Sequence, residues 1–267
     1  MWSLASLPPR VRAGGALVAA LAAALAVAGC GGKTSSPSAP DPGIGTALDR
    51  AMPSAIASLP LRDAAGHRVT LGSLQGKTLV VSDSMTLCSE DCPLDTANVV
   101  AAARAADHAG LTDQVEFLTV TVDPRRDDPH HLTAYRSLYD PEHQLANWQL
   151  LTGSPDQIAQ LWKYFGVYWH RVPEDSPPDH DWLTGRPLTY DIQHADEVLL
   201  VDPRGHWRFV VSGHAHVPVS TAVPSRMRSF LSAEGRRHLK RPDAATWTAG
   251  DVLKAVSWLT GRPVPSS

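Results

Sequence analysis

The stretch Thr86-Leu-Cys-Ser-Glu-Asp-Cys-Pro93 decides how the rest of the chain is interpreted. Cys88 and Cys92 are four residues apart, so if a helix begins here their side chains lie on one face, about one turn from each other. Two sulfurs in that arrangement can share one soft metal ion or close as a disulfide. Pro93 suits the first turn of a helix, and the positive end of that helix is expected to lower the pKa of the thiols. The motif therefore predicts redox or metal chemistry, with a structural disulfide in an exported protein as the alternative.

The sequence on either side of the motif predicts an α/β fold. The apolar run Thr78–Val81 predicts a buried strand that leads into the motif, and the Ala-rich segment after Pro93 predicts a helix that ends at Gly110. Short strands are predicted around a turn at Asp63–Gly66, and longer strands at Val115–Val122, Trp148–Leu151, Glu197–Val201 and Trp207–Val211. Helices are predicted from Pro129, from the capping box at Ser154 and from Thr248. This order predicts a single domain with a mixed sheet flanked by helices.

The N-terminus is predicted to direct export. Arg10 and Arg12 precede an apolar run, Ala13–Ala28, that is too short and too rich in alanine for a membrane span and is typical of a signal peptide. The run leads into Val27-Ala28-Gly29-Cys30, which resembles the lipobox of bacterial lipoproteins. This implies cleavage before Cys30 and a lipid on its sulfur. An ordinary signal peptide with an incidental cysteine is the alternative.

The predicted domain boundaries follow from that interpretation. Residues 1–29 are predicted to be the lipoprotein signal peptide. Residues 30–55 are rich in Gly, Ser, Pro and Ala at their start and are predicted to be a flexible tether. The folded domain is expected at 56–267.

Composition limits the remaining classes of function. The 267 residues carry a net charge of −3 and contain no long basic block, so nothing points to nucleic acid. The chain has three cysteines. If Cys30 carries the lipid, Cys88 and Cys92 are the only thiols of the folded part, and export places this pair in an oxidising compartment.

Four motifs in order resemble the SCO/SenC family of copper chaperones, which are membrane-tethered thioredoxin-fold proteins. They are Cys88-Ser-Glu-Asp-Cys92-Pro93 with Thr86 two residues before it, Thr121-Val-Asp-Pro-Arg-Arg-Asp-Asp-Pro129, Leu151-Thr152-Gly153, and Tyr190-Asp-Ile-Gln-His194 followed by Leu199–Gly205. The resemblance spans about residues 60–209 and the last helix. It implies a thioredoxin-like mixed sheet.

The resemblance also implies a function. By it, Cys88, Cys92 and His194 are the copper ligands, and the protein delivers copper to the binuclear copper site of cytochrome c oxidase, with other copper chaperones as further partners. Thiolates are soft and select Cu(I), imidazole accepts Cu(I) and Cu(II), and three protein ligands leave one position open. The reduced dithiol is expected to bind the ion and a Cys88–Cys92 disulfide is not. The protein is expected to be lipid-anchored to the cell membrane on its extracytoplasmic side.

Some residues depart from the family pattern. The strand before the motif continues as Ser82-Asp83-Ser84-Met85, where the family usually carries aromatics. Asp83 is expected to raise the pKa of the thiols, and Met85 to pack rather than bind metal. Asp123 is expected to support the site from the end of the neighbouring strand.

Residues 212–245 have no counterpart in the family and are interpreted as an insertion with one helix around Met227–Leu231. His214 and His216 in this insertion have metal-like spacing. Together with other histidines they are interpreted mainly as exposed loop residues without a role: His130, His131, His170 and His180.

Three other functions remain open at this point. A thiol–disulfide oxidoreductase suits a thiol at a helix start, although that activity commonly uses Cys-x-x-Cys. A peroxidase-like redox sensor is disfavoured by His194 and by the lack of a further cysteine. A zinc site needs a fourth ligand beyond the three residues named.

Overall fold

Ten strands are present in the described part of the chain, which comprises residues 38–217, 223–240 and 247–265 of a computed structural model. They are β1 (Thr46–Ala51), β2 (Leu61–Asp63), β3 (Arg68–Val69), β4 (Thr78–Ser84), β5 (Val115–Thr121), β6 (Trp148–Thr152), β7 (Trp169–Val172), β8 (Asp191–His194), β9 (Glu197–Val201) and β10 (His206–Ser212). Eight of them form one sheet in the order β1-β10-β9-β4-β5-β6-β2-β3, and β7 pairs with β8 in a separate ribbon. Strands β4, β5 and β6 run parallel, and the other pairs are antiparallel.

Helices connect and cover these strands. They are α1 (Ser54–Ala57), α2 (Cys92–His108), α3 (Pro129–Tyr139), α4 (Pro155–Phe165), α5 (Ser225–Phe230), α6 (Ala233–Lys240) and α7 (Ala249–Thr260), with a 3-10 turn at Leu71–Leu74. Helix α4 begins with the predicted capping box, in which Ser154 accepts from the Gln157 N–H, and ends at Gly166 in the left-handed conformation. No helix in the described ranges is long and apolar enough to cross a membrane.

The core lies on both faces of the sheet. All seven residues of β4 and all seven of β5 are buried, as expected for parallel strands between layers of helices. Val80 packs in the cluster that includes α2, α3 and α7, whereas its neighbours Leu79 and Val81 pack in the cluster that includes α4. Cys88 and Cys92 belong to the second cluster. The arrangement confirms the predicted thioredoxin-like mixed sheet flanked by helices.

The predicted tether is wrong in its last part. Residues 46–51 form β1, which pairs antiparallel with β10 from Thr46 opposite Val210 to Ala51 opposite His206. Five of the six residues of β1 are exposed, so the strand carries no apolar run that sequence patterning could detect. The predicted signal peptide and Cys30 lie outside the described residues.

The predicted insertion contains more structure than expected. The helix predicted around Met227–Leu231 is present as α5, and a second helix, α6, follows it directly. Buried side chains of this segment join the cluster on the α2 side of the sheet, among them Val223 and Met227. The described residues 223–240 of the insertion are therefore packed onto the domain, and α6 reaches the cysteine motif.

Candidate metal centre

The cysteine motif is divided between a turn and a helix. Cys92 is the first residue of α2, and Cys88 lies in the turn that joins β4 to this helix. The helix begins only at the second cysteine, so the condition under which both side chains would occupy one helical face is not met. Both cysteines are free and buried, with Cys88 8% and Cys92 0% exposed.

A buried aspartate fixes the turn before Cys88. The carboxylate of Asp127 accepts hydrogen bonds from the Thr86 N–H, at 3.1 Å, and from the hydroxyls of Thr86 and Thr121. The Trp182 indole donates to the Thr86 carbonyl at 2.7 Å. These contacts join the motif to two distant segments and fix the backbone two residues before Cys88.

His194 brings an imidazole to the thiols from the end of β8. Its Nε2 atom lies 3.3 Å from the Cys92 sulfur. One ligand atom from each of Cys88, Cys92 and His194 falls within a group whose members all lie within 4.8 Å of one another. Ligands of one small metal ion are about 3–4 Å apart, so the three predicted residues are close to the arrangement that one ion requires.

Asp83 orients this imidazole. Its Oδ2 atom lies 2.6 Å from Nδ1 of His194, and its Oδ1 atom accepts from the Glu197 N–H at 2.8 Å. Both side chains are buried. Because Asp83 holds the Nδ1 proton, the ring presents Nε2 to the thiols. In many metal sites a carboxylate orients a histidine ligand in this way. Sequence reasoning predicted Asp83 to act on the thiols, and it missed this contact with His194.

The thiols are held in the protonated form. The hydrogen bond with Cys92, together with burial, raises the pKa of Cys88, and burial raises the pKa of Cys92 to about 11. The expectation of a lowered thiol pKa at the helix start is therefore wrong. For His194, burial lowers the pKa, but the hydrogen bond with Asp83 contributes to a net rise. A metal ion at this site must displace protons from all three groups.

Asp123 does not touch the thiols or His194. Its carboxylate pairs with Arg126 and accepts from the Tyr190 hydroxyl at 3.0 Å. Arg126 in turn donates to the Tyr190 carbonyl at 2.7 Å, one residue before β8. Asp123 is therefore linked to the site through Tyr190, which directly precedes β8, the strand that ends at His194. That it supports the site stays a prediction. Met85 is buried in the same cluster as the cysteines.

The insertion covers the middle of the motif. The Ser232 N–H donates to the Ser89 carbonyl at 2.7 Å. A Cβ atom on Gly235 of α6 would lie 2.6 Å from the Ser89 carbonyl oxygen and 2.9 Å from that of Glu90, so only glycine permits this approach. His214, which was predicted to be exposed and without a role, contacts Asp91 in the motif, and so does His238 of α6, which sequence reasoning did not single out.

Three further histidines singled out from the sequence lie on α3 and β7. His130 and His131 are in the first turn of α3, where the His131 ring contacts Asp128 and Asp181 at 3.1 Å each. The sequence prediction that His131 is an exposed loop residue is wrong, since its side chain is 12% exposed and lies in a helix. His170 lies in β7.

The sheet order and the buried pair of free thiols place this protein in the class of thioredoxin-like proteins with a dithiol site. The family model described as SCO1/SenC matches residues 51–224. The chain belongs to the SCO1/SenC family.

Several characterised proteins are similar to it. Protein sco1 of Schizosaccharomyces pombe is 28% identical over 145 residues, covering 54% of this chain and 50% of that protein. The human protein SCO2 homolog, mitochondrial, is 26% identical over 173 residues, covering 64% and 59%. The structure of Bradyrhizobium japonicum ScoI with copper bound is 26% identical, with a TM-score of 0.46, over 70% of this chain and 97% of that one. The chain spans about half the length of the curated relatives that it matches.

Proposed function

We propose that this protein is an extracytoplasmic copper metallochaperone that holds one Cu(I) ion through Cys88, Cys92 and His194. The observation that carries the proposal is the meeting of two buried thiols from one motif with an oriented imidazole from β8, 102 residues beyond Cys92. Membership of the SCO1/SenC family supports it.

The donor set favours transfer of the ion rather than permanent storage. Two thiolates and one imidazole suit Cu(I), and three ligands leave a position through which an acceptor's ligand can enter. A structural zinc site would be closed by four ligands. By resemblance to the family, the acceptor is the copper-site subunit of cytochrome c oxidase, and other copper chaperones supply the ion.

The same proposal assigns roles to the rest of the chain. Residues 1–29 direct export and are removed, Cys30 carries a lipid, and the residues up to about 45 link the lipid to the domain. This anchors the domain to the cell membrane on the extracytoplasmic side. The support is the lipobox-like sequence before Cys30 and the start of ordered pairing at Thr46.

Thiol–disulfide exchange is less favoured as the main activity. An attacking cysteine works as a thiolate and is usually accessible. Burial raises the pKa of Cys92 here, and both sulfurs are buried.

The test is an anaerobic Cu(I) titration of the full reduced chain in detergent, against a competing chelator. We expect one tightly bound ion per chain and, after oxidation to Cu(II), a thiolate charge-transfer band. His194→Ala should weaken retention at least tenfold. His206→Ala is the matched control, because His206 also pairs with an aspartate at 2.6 Å but lies on β10 and contacts Asp49. Unchanged affinity in His194→Ala would remove this residue from the ligand set, and a folded, reduced parent chain that retains no copper would refute the function.

A further inference from the structure

Asp91 lies between the two cysteines and faces a pair of histidines from the insertion. It precedes α2 but makes no side-chain cap to that helix. Its Oδ1 atom is 2.6 Å from Nδ1 of His238, and its Oδ2 atom is 2.8 Å from Nδ1 of His214. The two imidazole rings are 4.7 Å apart and tilted by 40°. One carboxylate and two imidazoles thus converge beside the motif.

The polar groups of this cluster are not all satisfied. Nδ1 of His214 is buried and has no hydrogen bond of acceptable geometry to any described residue, although the Asp91 oxygen is near. A buried polar atom in this state calls for a partner, and an ion is one of the ordinary explanations. Two further carboxylates are at hand: Asp196 lies 3.6 Å from Nδ1 of His214, and Glu234 lies 2.9 Å from Nε2 of His238.

We propose that Asp91, His214 and His238 form a second metal site, for a divalent first-row ion of which Cu(II) binds most tightly. One ligand atom of each residue falls within a group spanning no more than 4.8 Å, close to the separation of about 3–4 Å between ligands of one such ion. Imidazole and carboxylate suit divalent ions, and affinity at such sites rises to a maximum at Cu(II). Without a thiolate, the site does not favour Cu(I).

The second site lies next to the thiol site but uses different residues. Asp91 is the residue immediately before Cys92, and Asp196 faces His214 on one side and His194, at 3.8 Å, on the other. Two of the three ligands come from the insertion, so the site depends on a segment that the thiol site does not use. The chain thereby offers a divalent ion a place to bind beside the thiol site.

The test removes the thiol site and asks whether Cu(II) still binds. The full chain carrying Cys88→Ser, Cys92→Ser and His194→Ala is titrated with Cu(II) against glycine as a weak competitor and followed by spin resonance. We expect one Cu(II) per chain with nitrogen hyperfine structure. Adding His214→Ala or His238→Ala should weaken binding at least tenfold, whereas His216→Ala, from the same insertion, should leave it unchanged.

A second measurement covers the case in which the triple variant does not fold. The parent chain is oxidised to the Cys88–Cys92 disulfide and titrated with Cu(II) in the same way, with and without His214→Ala. Absence of Cu(II) binding by the folded triple variant or by the oxidised parent chain, or equal binding by the His214→Ala variant, overturns the second site. Tighter retention of Zn(II) than of Cu(II) overturns the preference for copper. The proposed function is tested separately, because it concerns Cu(I) held by the thiols.

Discussion

Replacing Asp83 by asparagine tests how the imidazole of the thiol site is held. The carboxylate accepts hydrogen bonds from two groups, Nδ1 of His194 at 2.6 Å and the Glu197 N–H at 2.8 Å. Asparagine has nearly the same shape but offers one acceptor oxygen. Nδ1 of His194 also lies 2.8 Å from the Ala195 carbonyl, so it keeps one acceptor if the asparagine oxygen accepts from the Glu197 N–H. The substitution then removes the charge-assisted bond between carboxylate and imidazole and turns an NH2 group toward Nδ1 at a fully buried position.

The magnitude follows from these contacts. Loss of a buried charge-assisted hydrogen bond costs about 1.5–3 kcal/mol of the free energy of unfolding. Since folding raises the pKa of His194, the stability that this pairing supplies is complete below the unfolded pKa of about 6.5 and is lost as pH rises through the folded pKa. Asp83→Asn should therefore destabilise the metal-free protein most at pH 6 and less in alkaline solution. Loss of orientation should also lower Cu(I) affinity by about 10–100-fold.

The assay is urea unfolding of the reduced, metal-free protein at pH 6 and pH 9, combined with Cu(I) competition. Asp49→Asn serves as the control, because Asp49 pairs with His206 at the same 2.6 Å but is largely exposed, so little change is expected. If Asp83→Asn matches the parent in both stability at pH 6 and Cu(I) affinity, Asp83 does not position His194.

Two further substitutions test other contacts of the motif. In Gly235→Ala, alanine is the better helix former by about 1 kcal/mol, but its Cβ would meet the Ser89 carbonyl oxygen at 2.6 Å. We therefore expect a net loss of about 1–3 kcal/mol of stability, measured as a lower melting temperature. A higher melting temperature would show that α6 does not lie against the motif. For Asp127, burial raises the pKa from 3.8 to about 6, so the folded state holds a proton that the unfolded state has released, and stability falls on this account as pH rises from about 4 to about 6. Asp127→Asn should remove on the order of 3 kcal/mol of that pH dependence, measured by urea unfolding across this range. Identical slopes in the two proteins would contradict the raised pKa.

The parts of the fold with local sequence signals were predictable. The apolar runs of β4, β5 and β9 and the capping box at Ser154 each depend on residues adjacent in sequence, and the structure has them where predicted. The approach of His194 to the thiols was predicted only from a family resemblance, because the contact joins residues 102 positions apart.

The contacts between distant parts of the chain had no local sequence signal. Asp83 and His194 are separated by 111 positions, and Asp91 and His238 by 147, so no periodicity links them. His214-Ala-His216 suggested a pair, but the structure takes His214 into the cluster and completes it with His238 from another helix. The exposed strand β1 escaped detection because its pairing with β10 depends on backbone hydrogen bonds rather than on apolar side chains.

Strand β1 also carries features that discourage pairing of the sheet edge with another molecule. It is the outermost strand of the sheet, next to β10, whose Trp207, Phe209 and Val211 are buried. An uncovered apolar edge of this kind invites pairing with another molecule. Here the edge presented to solvent carries Asp49 and Arg50 and an irregular register between Ala47 and Arg50, and charges and irregularities on an edge strand oppose sheet-to-sheet aggregation. The charged side chains and the irregular register of β1 therefore make this edge a poor partner for strand pairing with another molecule.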